Sequence, residues 1–257
     1  MAKVIVIANQ KGGVGKTTTS VNLSACLGVA GKKVLTIDID PQGNTTSGLG
    51  IDKDGVEFSI YDALIDEVEI KYVIQKTEFE NLWICPSNVN LAGAEVEMVS
   101  IKNREYLLKN IVGPLRTEFD YIIIDCPPSL GLLTLNAFVS ADSALVPIQC
   151  EYYALEGLSQ LTKTIRNIKQ ELNPDISLEG VLLTMFDGRT NLSIQVADEV
   201  KRFFPDKVFQ TVIPRNVRLS EAPSFGEPII IYDKYSKGAE GYTELAKEVI
   251  QNNKGGE

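Results

Sequence analysis

Strand-like and helix-like segments alternate from one end of this 257-residue chain to the other. Several strand-like runs are apolar without polar alternation, which is typical of strands buried on both faces of a parallel sheet. The predicted strands comprise residues 3–8, 33–39, 82–85, 121–125, 144–148, 178–184, 208–213 and 229–231. This alternation predicts an α/β fold with a doubly wound, mostly parallel sheet, helices on both faces and right-handed crossovers.

The segments between the predicted strands have apolar residues spaced about 3.6 residues apart, as in amphipathic helices. The clearest helix is expected to end near Asn173 and Pro174. Its apolar stripe consists of Leu155, Leu158, Leu161, Ile165, Ile168 and Leu172. No linker or repeat interrupts the series, so residues 1–257 are expected to form a single domain with a frayed tail from about residue 251.

The composition excludes several kinds of site. The chain has 4 cysteines without a C-x-x-C pair and no histidine, which argues against zinc, a disulfide framework and Ser-His or Cys-His catalysis. Catalysis is therefore expected to depend on carboxylates, lysines and a metal ion. No apolar run reaches the roughly 18 residues that span a bilayer, and no signal-peptide pattern follows Met1, so we expect a cytoplasmic protein.

A glycine-rich loop follows the first predicted strand and precedes a helix that is expected to run from about Lys16 to Gly31. Residues 9–20 read NQKGGVGKTTTS. The common phosphate-binding form, G-x-x-x-x-G-K-[ST], would require glycine at position 10, but this chain has Gln10 followed by Lys11. The context between strand and helix nevertheless indicates a phosphate-binding loop.

The glycines allow the loop backbone to curl with its N–H groups turned inward, as in an anion-binding nest. We expect Lys16 to reach the β- and γ-phosphates, the Thr17 hydroxyl to bind Mg²⁺ and Thr18 to meet the α-phosphate. The nucleotide-binding residues predicted in this loop are Lys11, Gly12, Gly13, Val14, Gly15, Lys16, Thr17 and Thr18.

Three aspartates are predicted at the carboxyl ends of strands, where open α/β sheets bind ligands. Asp38 and Asp40 end the second predicted strand and alternate onto the same face. We expect Asp38 to support the magnesium shell, although one of this pair could simply begin the turn that contains Pro41 and Gly43. Asp125 ends an apolar strand, as in a Walker B motif, and is expected to hold Mg²⁺ through water.

The motif K-G-G-x-G-K-T-T resembles the deviant Walker A signature of the ParA/MinD family of P-loop ATPases. In that family, two subunits enclose two ATP molecules, and the additional lysine contacts the partner's nucleotide. The resemblance implies that Lys11 acts across a homodimer interface, as a cation that permits two polyphosphates to approach and stabilises the transition state. A solvated surface lysine is the alternative.

Two further motifs resemble the switches of this family. The sequence DPQGN resembles switch I and implies that Asp40 orients or deprotonates the attacking water, and DCPPSLG resembles switch II. Together the predicted catalytic residues are Lys11, Lys16 and Asp40. By the same resemblance, the loop after residues 208–213 lies against adenine, with Asn216 bonding the base edge and Pro214 covering its face.

The blocks EYYALEGLSQL, DGRTN and IPRNVRLSEAPSFGEPI are similar to those of ParA (Soj-type) partitioning ATPases. This similarity implies a slow Mg²⁺-dependent ATPase whose ATP-bound dimer binds double-stranded DNA without sequence preference. It also implies a ParB-type centromere-binding partner that stimulates hydrolysis and DNA release, and association with the nucleoid. The loop begins about ten residues in, so we expect DNA contact to come from the ATPase domain itself.

The formal net charge of −9 requires a locally basic face for DNA binding. Residues 187–237 contain 8 basic and 7 acidic side chains, in contrast to the acidic excess elsewhere. Arg189, Arg215 and Arg218 are the candidates, and Arg189 and Arg218 lead because they also lie in blocks that resemble segments of this family associated with non-specific DNA binding. Weaker candidates, for which a solvated surface role is the alternative, are Lys201, Arg202, Lys234 and Lys237.

Other functions share parts of these motifs. A MinD-like membrane ATPase needs a basic amphipathic tail, but the last helix carries a stripe suited to packing on the sheet, formed by Tyr242, Leu245, Ala246, Val249 and Ile250. A metal-cluster reductase such as the nitrogenase iron protein needs cysteines in two loops that Cys126 does not match. A small-molecule kinase or synthetase is a third alternative. We expect no membrane partner.

Overall fold

The computed structural model describes residues 1–152 and 154–253, which include one eight-stranded sheet. Its spatial order is β3-β4-β2-β5-β1-β6-β7-β8, and all neighbouring strands are parallel except β3 and β4. The strands are β1 (Lys3–Ile7), β2 (Val34–Asp38), β3 (Gln75–Lys76), β4 (Leu82–Cys85), β5 (Tyr121–Asp125), β6 (Ser143–Gln149), β7 (Ser177–Phe186) and β8 (Val208–Pro214). The predicted fold class is confirmed.

The helices cover both faces of this sheet. They are α1 (Lys16–Val29), α2 (Asn44–Gly48), α3 (Ile60–Leu64), α4 (Ile70–Val73), α5 (Leu91–Glu97), α6 (Leu107–Leu115), α7 (Leu132–Ser140), α8 (Ala154–Glu171), α9 (Asn191–Phe203), α10 (Val217–Glu221), α11 (Ile229–Tyr232) and α12 (Lys237–Asn253). Short 3₁₀ turns occur at Met98–Ser100, Arg104–Tyr106 and Ala222–Phe225.

Successive residues of the central strands enter two different cores. Val4 and Val6 of β1 belong to the core that also contains buried residues of α5 to α9, whereas Ile5 and Ile7 belong to the core shared with α1 and α12. This two-sided burial explains why the strands lack a polar alternation. Because all eight strands lie in one sheet, we propose that the described residues form a single domain.

The prediction that residues 229–231 form a strand is wrong, since they lie in helix α11. Pro228 has an extended conformation at the N-cap of this helix, and the Asn22 side chain accepts a hydrogen bond from the N–H of Ile229 at 2.6 Å. Only Ile229 is buried in the helix, and Ile231 is 51% exposed. A β-branched run was therefore mistaken for a strand because its solvent exposure is not visible in the sequence.

The carboxyl-terminal helix confirms one prediction and corrects another. Tyr242, Leu245, Ala246 and Val249 are buried and Ile250 is partly buried. The tail was expected to fray from about residue 251, but α12 continues to Asn253, whose side chain donates to Glu179 at 2.7 Å. Residues 254–257 lie outside the described residues.

The topology brings the predicted motifs to one edge of the sheet. The chain leaves β1 toward β2 on one side, whereas it leaves β5 toward β6 on the other side of β1. The loops after β1, β2 and β5 therefore meet at the carboxyl edge near a change of direction, which is where open α/β sheets bind ligands.

Candidate nucleotide site and basic surface

The loop between β1 and α1 has the geometry of an anion-binding nest. Gly13 and Gly15 have φ angles of 73° and 90°, in the left-handed region that favours glycine. Helix α1 begins at Lys16 without a side-chain cap and without an acidic residue in its first turn. Its first N–H groups are therefore oriented toward the loop and can bind an anion.

Two polar residues that the sequence analysis did not single out hold this loop against the sheet. The Asn9 amide donates to the carbonyl of Pro147 at 2.8 Å and accepts from the N–H of Lys11 at 3.0 Å. The Thr184 hydroxyl lies 2.8 Å from the carbonyl of Val14. A polar residue within the apolar run of β7 was the available sequence signal for Thr184.

Lys16 is buried inside the curl of the loop, with 7% of its surface exposed. Its ammonium donates to the carbonyl of Lys11 at 3.2 Å. Burial lowers the pKa of Lys16, and the nearby carboxylates of Asp125 and Asp40 act in the opposite direction. The arrangement places a cation where the polyphosphate of a nucleotide would lie.

Asp125, at the end of β5, accepts three hydroxyl hydrogen bonds. Thr17 and Thr45 donate to one carboxylate oxygen at 2.9 and 2.7 Å, and Ser20 donates to the other at 2.7 Å. Burial nevertheless raises the pKa of Asp125 to about 6. The structure thus brings together Thr17 and Asp125, the hydroxyl and carboxylate predicted to bind Mg²⁺.

Asp38 lies beside Asp125 because β2 and β5 are neighbours with these residues in register. Its carboxylate accepts from the N–H and the hydroxyl of Thr46, both at 2.8 Å, and from the N–H of Asp40 at 3.1 Å. Burial, followed by the charge of Asp125, raises the pKa of Asp38 to about 7. A cation near this pair would relieve the cost of burying two carboxylates.

The donor set fits magnesium held mainly by phosphates and water. No group of three or more acidic or cysteine side chains in residues 1–152 and 154–253 is arranged to hold a metal ion alone. Mg²⁺ commonly keeps several waters and binds to one or two carboxylates together with substrate phosphates. Thr17 and Asp125 provide oxygen atoms of this kind.

Asp40 lies in the turn after β2 and is 8% exposed. One carboxylate oxygen accepts from the N–H of Gln42 at 3.0 Å, and the carbonyl of Asp40 accepts from the N–H of Gly43 at 2.9 Å. Asp40 therefore does begin the turn that contains Pro41 and Gly43, which was the alternative given for one aspartate of this pair. The second carboxylate oxygen accepts no hydrogen bond within the described residues and can bind another group.

Lys11 lies at the exposed rim of the loop. Its ammonium is 2.7 Å from a carboxylate oxygen of Glu151, and the two side chains are 42% and 46% exposed. In the single chain, Lys11 thus forms an ion pair, and its contact with a partner's nucleotide stays a prediction. Glu151 lies within a quoted sequence block, but nothing in that block indicated its contact with Lys11.

A cavity of about 310 Å³ adjoins the loop on the side of β8. Its lining includes Gly15 and Thr18 together with Pro214 and Asn216, the residues predicted to contact adenine. The Asn216 side-chain oxygen accepts from the N–H of Arg218 at 2.8 Å and caps α10. The amide NH₂ of Asn216 is therefore the group that can address the base edge.

The three candidate arginines follow the carboxyl ends of β7 and β8, and the two leading ones, Arg189 and Arg218, are paired with acidic side chains. Arg189 donates twice to Asp187, at 2.9 and 2.7 Å, and these hydrogen bonds lower the pKa of Asp187 to about 2. Arg218 is 2.9 Å from Glu221. Arg215 is exposed, and its charge contributes to the lowered pKa of Asp187.

The weaker basic candidates divide into two groups. Lys234 and Lys237 lie close to the Arg218 region, where Asp233 is 3.5 Å from Arg218. Lys201 and Arg202 are in the last turn of α9, roughly 15 Å along the helix axis from its first residue. The length of α9 therefore separates Lys201 and Arg202 from Arg189, which precedes the first turn of this helix.

None of the helices within the described ranges combines the length and apolar composition needed to cross a membrane.

The sequence and fold are similar to those of known ATPases. A family model described as an AAA domain matches residues 2–178. The sporulation initiation inhibitor protein Soj of Bacillus subtilis is 61% identical over 252 residues, which cover 98% of this chain and 100% of that protein. The chain belongs to the ParA/Soj family of partitioning ATPases. The chromosome partitioning protein ParA of Myxococcus xanthus is 56% identical over 251 residues, which cover 98% of this chain and 89% of ParA.

A solved structure extends the similarity to a nucleotide complex. Cobyrinic acid a,c-diamide synthase from Mycobacterium smegmatis, with bound ADP and magnesium, matches with a TM-score of 0.88 and 38% identity. The match covers 100% of this chain and 97% of that one. Membership of the ParA/Soj family confirms the resemblance of the deviant Walker A motif and makes the chain an ATPase.

Proposed function

We propose that this ParA/Soj-family ATPase segregates DNA by an ATP-controlled cycle. ATP closes a homodimer, the dimer binds double-stranded DNA without sequence preference, and slow hydrolysis, stimulated by a ParB-type partner, releases it. The observation that carries this proposal is the second lysine of the loop. Lys11 lies at the exposed rim of the phosphate-binding nest, where a second subunit can approach, whereas Lys16 occupies its interior.

The nucleotide would be held by the loop N–H groups and by Lys16, with adenine in the cavity beside Pro214 and Asn216. Thr17 and Asp125 would hold Mg²⁺, with Asp38 supporting Asp125 from the neighbouring strand. Bound magnesium supplies positive charge to the phosphate oxygens. The raised pKa of Asp38 and the hydroxyl donors around Asp125 indicate carboxylates arranged to receive a cation.

Asp40 is proposed to orient or deprotonate the attacking water. The Asp40 carboxylate lies close enough to Lys16 and Asp125 for its charge to affect the pKa of both. The turn around Asp40 fixes the other oxygen through Gln42. This division between one anchored and one available oxygen suits a group that must position a water molecule.

The DNA-binding face is proposed to comprise Arg189, Arg215 and Arg218. Dimerisation would duplicate these three positive charges, and affinity for DNA rises steeply with the number of neutralised phosphates. The carboxylates of Asp187 and Glu221 would have to give up their arginines to phosphate groups. Such exposed ion pairs are weak, so this exchange costs little.

The proposal can be tested by DNA retention with ATP, ADP or no nucleotide across a salt series. We expect retention only with ATP, and a charge-reversing Arg189→Glu variant should lose DNA while it still forms ATP-dependent dimers. Arg202→Glu is a matched control because Arg202 lies in the last turn of α9, at the far end of this helix from Arg189. Equal loss in both variants, or retention by Arg189→Glu, would refute this surface.

The membrane-associated alternative gains no support from the last helix. The apolar stripe of α12 is buried in the core shared with α1, so this stripe is not available to a bilayer. Sedimentation with liposomes and ATP tests the alternative directly. Co-sedimentation of the protein in the absence of DNA would favour the MinD-like reading.

A further inference from the structure

Ser87 connects the end of β4 to the turn that carries Asp40. It is fully buried, and nothing in the motifs above assigns it a role. Its hydroxyl donates to the carbonyl of Asp40 at 2.8 Å, and its N–H donates to the hydroxyl of Thr46 at 2.9 Å. One residue thus bonds to both ends of the segment 40–46.

The contact between Ser87 and Thr46 is connected by a further hydrogen bond to Asp38, which lies beside Asp125. The Thr46 hydroxyl, which accepts from Ser87, donates in turn to Asp38 at 2.8 Å. Donors and acceptors therefore run in one direction, from the Ser87 N–H through Thr46 to the buried carboxylate. The Thr46 hydroxyl thereby links the main chain of Ser87 to Asp38, whose carboxylate also accepts from the N–H of Thr46.

The backbone of Ser87 also packs directly against the turn. Gly43 has a φ of 62°, and a Cβ atom at this position would lie 2.9 Å from the carbonyl oxygen of Ser87. A contact of that length with backbone requires a shift of the chain, so only glycine permits this approach. The turn therefore packs against the segment after β4, in addition to its connection to β2.

We propose that Ser87 is a positioning residue for ATP hydrolysis. Its hydroxyl holds the main chain of Asp40 in place. Its main-chain N–H, which Ser87→Ala retains, bonds to Thr46 beside Asp38. This inference rests on the role of Asp40 proposed above. Without Ser87, the free carboxylate oxygen of Asp40 would sample a wider range of positions relative to the bound nucleotide.

The hydrogen bonds around Asp40 predict that Ser87→Ala affects catalysis more than it affects the stability of the fold. The carbonyl of Asp40 also accepts from the N–H of Gly43 at 2.9 Å, so Ser87→Ala does not leave it without a donor. We therefore expect the unfolding temperature of Ser87→Ala to fall by no more than a few degrees. Misplacement of a catalytic group by about 1 Å can lower a rate up to about 100-fold, so kcat should fall on the order of 10- to 100-fold.

The test compares kcat, the Kd for Mg·ATP and the unfolding temperature of the full chain. The matched control is Ser140→Ala, because the buried Ser140 hydroxyl donates to the carbonyl of Ala137 at 2.9 Å, at the end of α7. Ser87→Ala should lose kcat with its Kd unchanged, whereas Ser140→Ala should keep wild-type kcat. Ser87→Thr, which retains the hydroxyl, should recover part of the loss.

Two results would overturn the inference. One is a kcat for Ser87→Ala within twofold of wild type, and the other is a parallel loss of kcat, nucleotide affinity and thermal stability, which indicates a purely structural role. An Asp40→Ala variant distinguishes a failure of the role proposed for Asp40 from a failure of the role proposed for Ser87. If Asp40→Ala still hydrolyses ATP, the proposed role of Asp40 fails; if Asp40→Ala is inactive and Ser87→Ala is fully active, only the role of Ser87 fails.

Discussion

The ion pair between Lys11 and Glu151 leads to a quantitative prediction about dimerisation. The two charged groups are 2.7 Å apart within one chain. In the proposed dimer, Lys11 must instead face the nucleotide of the partner subunit, so this ion pair must break in both subunits. Replacement of Glu151 by Gln keeps the size of the side chain and removes its charge, and should therefore favour the dimer.

The magnitude follows from the exposure of the pair. Both side chains are nearly half exposed, and such ion pairs contribute about 0.2–1 kcal/mol. Two pairs are broken in each dimer, so Glu151→Gln should stabilise the dimer by about 0.4–2 kcal/mol. With RT near 0.59 kcal/mol, this corresponds to a roughly 2- to 30-fold lower dissociation constant. Added salt should reduce the difference.

Sedimentation equilibrium with a hydrolysis-resistant ATP analogue measures this constant. Glu244→Gln is the matched control, because Glu244 forms an exposed 2.7 Å ion pair with Lys247 on α12. The control should leave the dissociation constant unchanged. An unchanged or weaker dimer in Glu151→Gln would contradict the idea that this pair competes with the contact across the interface.

Two further predictions concern pH and packing. Burial raises the pKa of Asp38 from an ordinary value of 3.8 to about 7, so the folded, nucleotide-free protein binds more protons than the unfolded chain between these values. The contribution of Asp38 to the free energy of unfolding is therefore present at low pH and is lost as the pH rises toward 7. In urea unfolding, the free energy of unfolding of Asp38→Asn should decline less over this pH range than that of wild type. Identical pH profiles of the two proteins would contradict the raised pKa of Asp38. Gly180 in β7 packs against the ring of Phe209, where an added Cβ would lie 2.5 Å from the nearest ring atom. Gly180→Ala should lower the free energy of unfolding, measured in urea, by about 1–3 kcal/mol. Gly157 on α8 has nothing within 4 Å of an added Cβ, so Gly157→Ala should raise the free energy of unfolding by up to about 1 kcal/mol. Equal effects of the two substitutions would refute this reading of the packing.

Much of the candidate site was visible in the sequence because its parts depend on local rules. The phosphate-binding loop needs glycines where φ is positive, and Gly13 and Gly15 have that conformation. Asp38 and Asp125 were each predicted at the carboxyl end of a strand, and in the structure they lie in register on the neighbouring strands β2 and β5. The roles assigned to these residues stay predictions.

Other parts of the site depend on contacts between distant residues. Lys11 and Glu151 are separated by 140 positions, and Ser87 and Asp40 by 47. No periodicity or spacing predicts such pairs, since they arise only when strands that are remote in the chain become neighbours. The same applies to Thr184, which supports the loop from β7.

The sequence alone determined the class of fold, the positions of most strands along the chain and the position of the nucleotide loop, because periodic burial and glycine conformations act over a few residues. Tertiary structure alone decided that residues 229–231 form a helix, that Lys11 is paired within its own chain, and that Arg189 and Arg218 are paired with acidic side chains. These outcomes depend on which surfaces become buried and which charges become neighbours. Such properties exist only after the sheet has assembled.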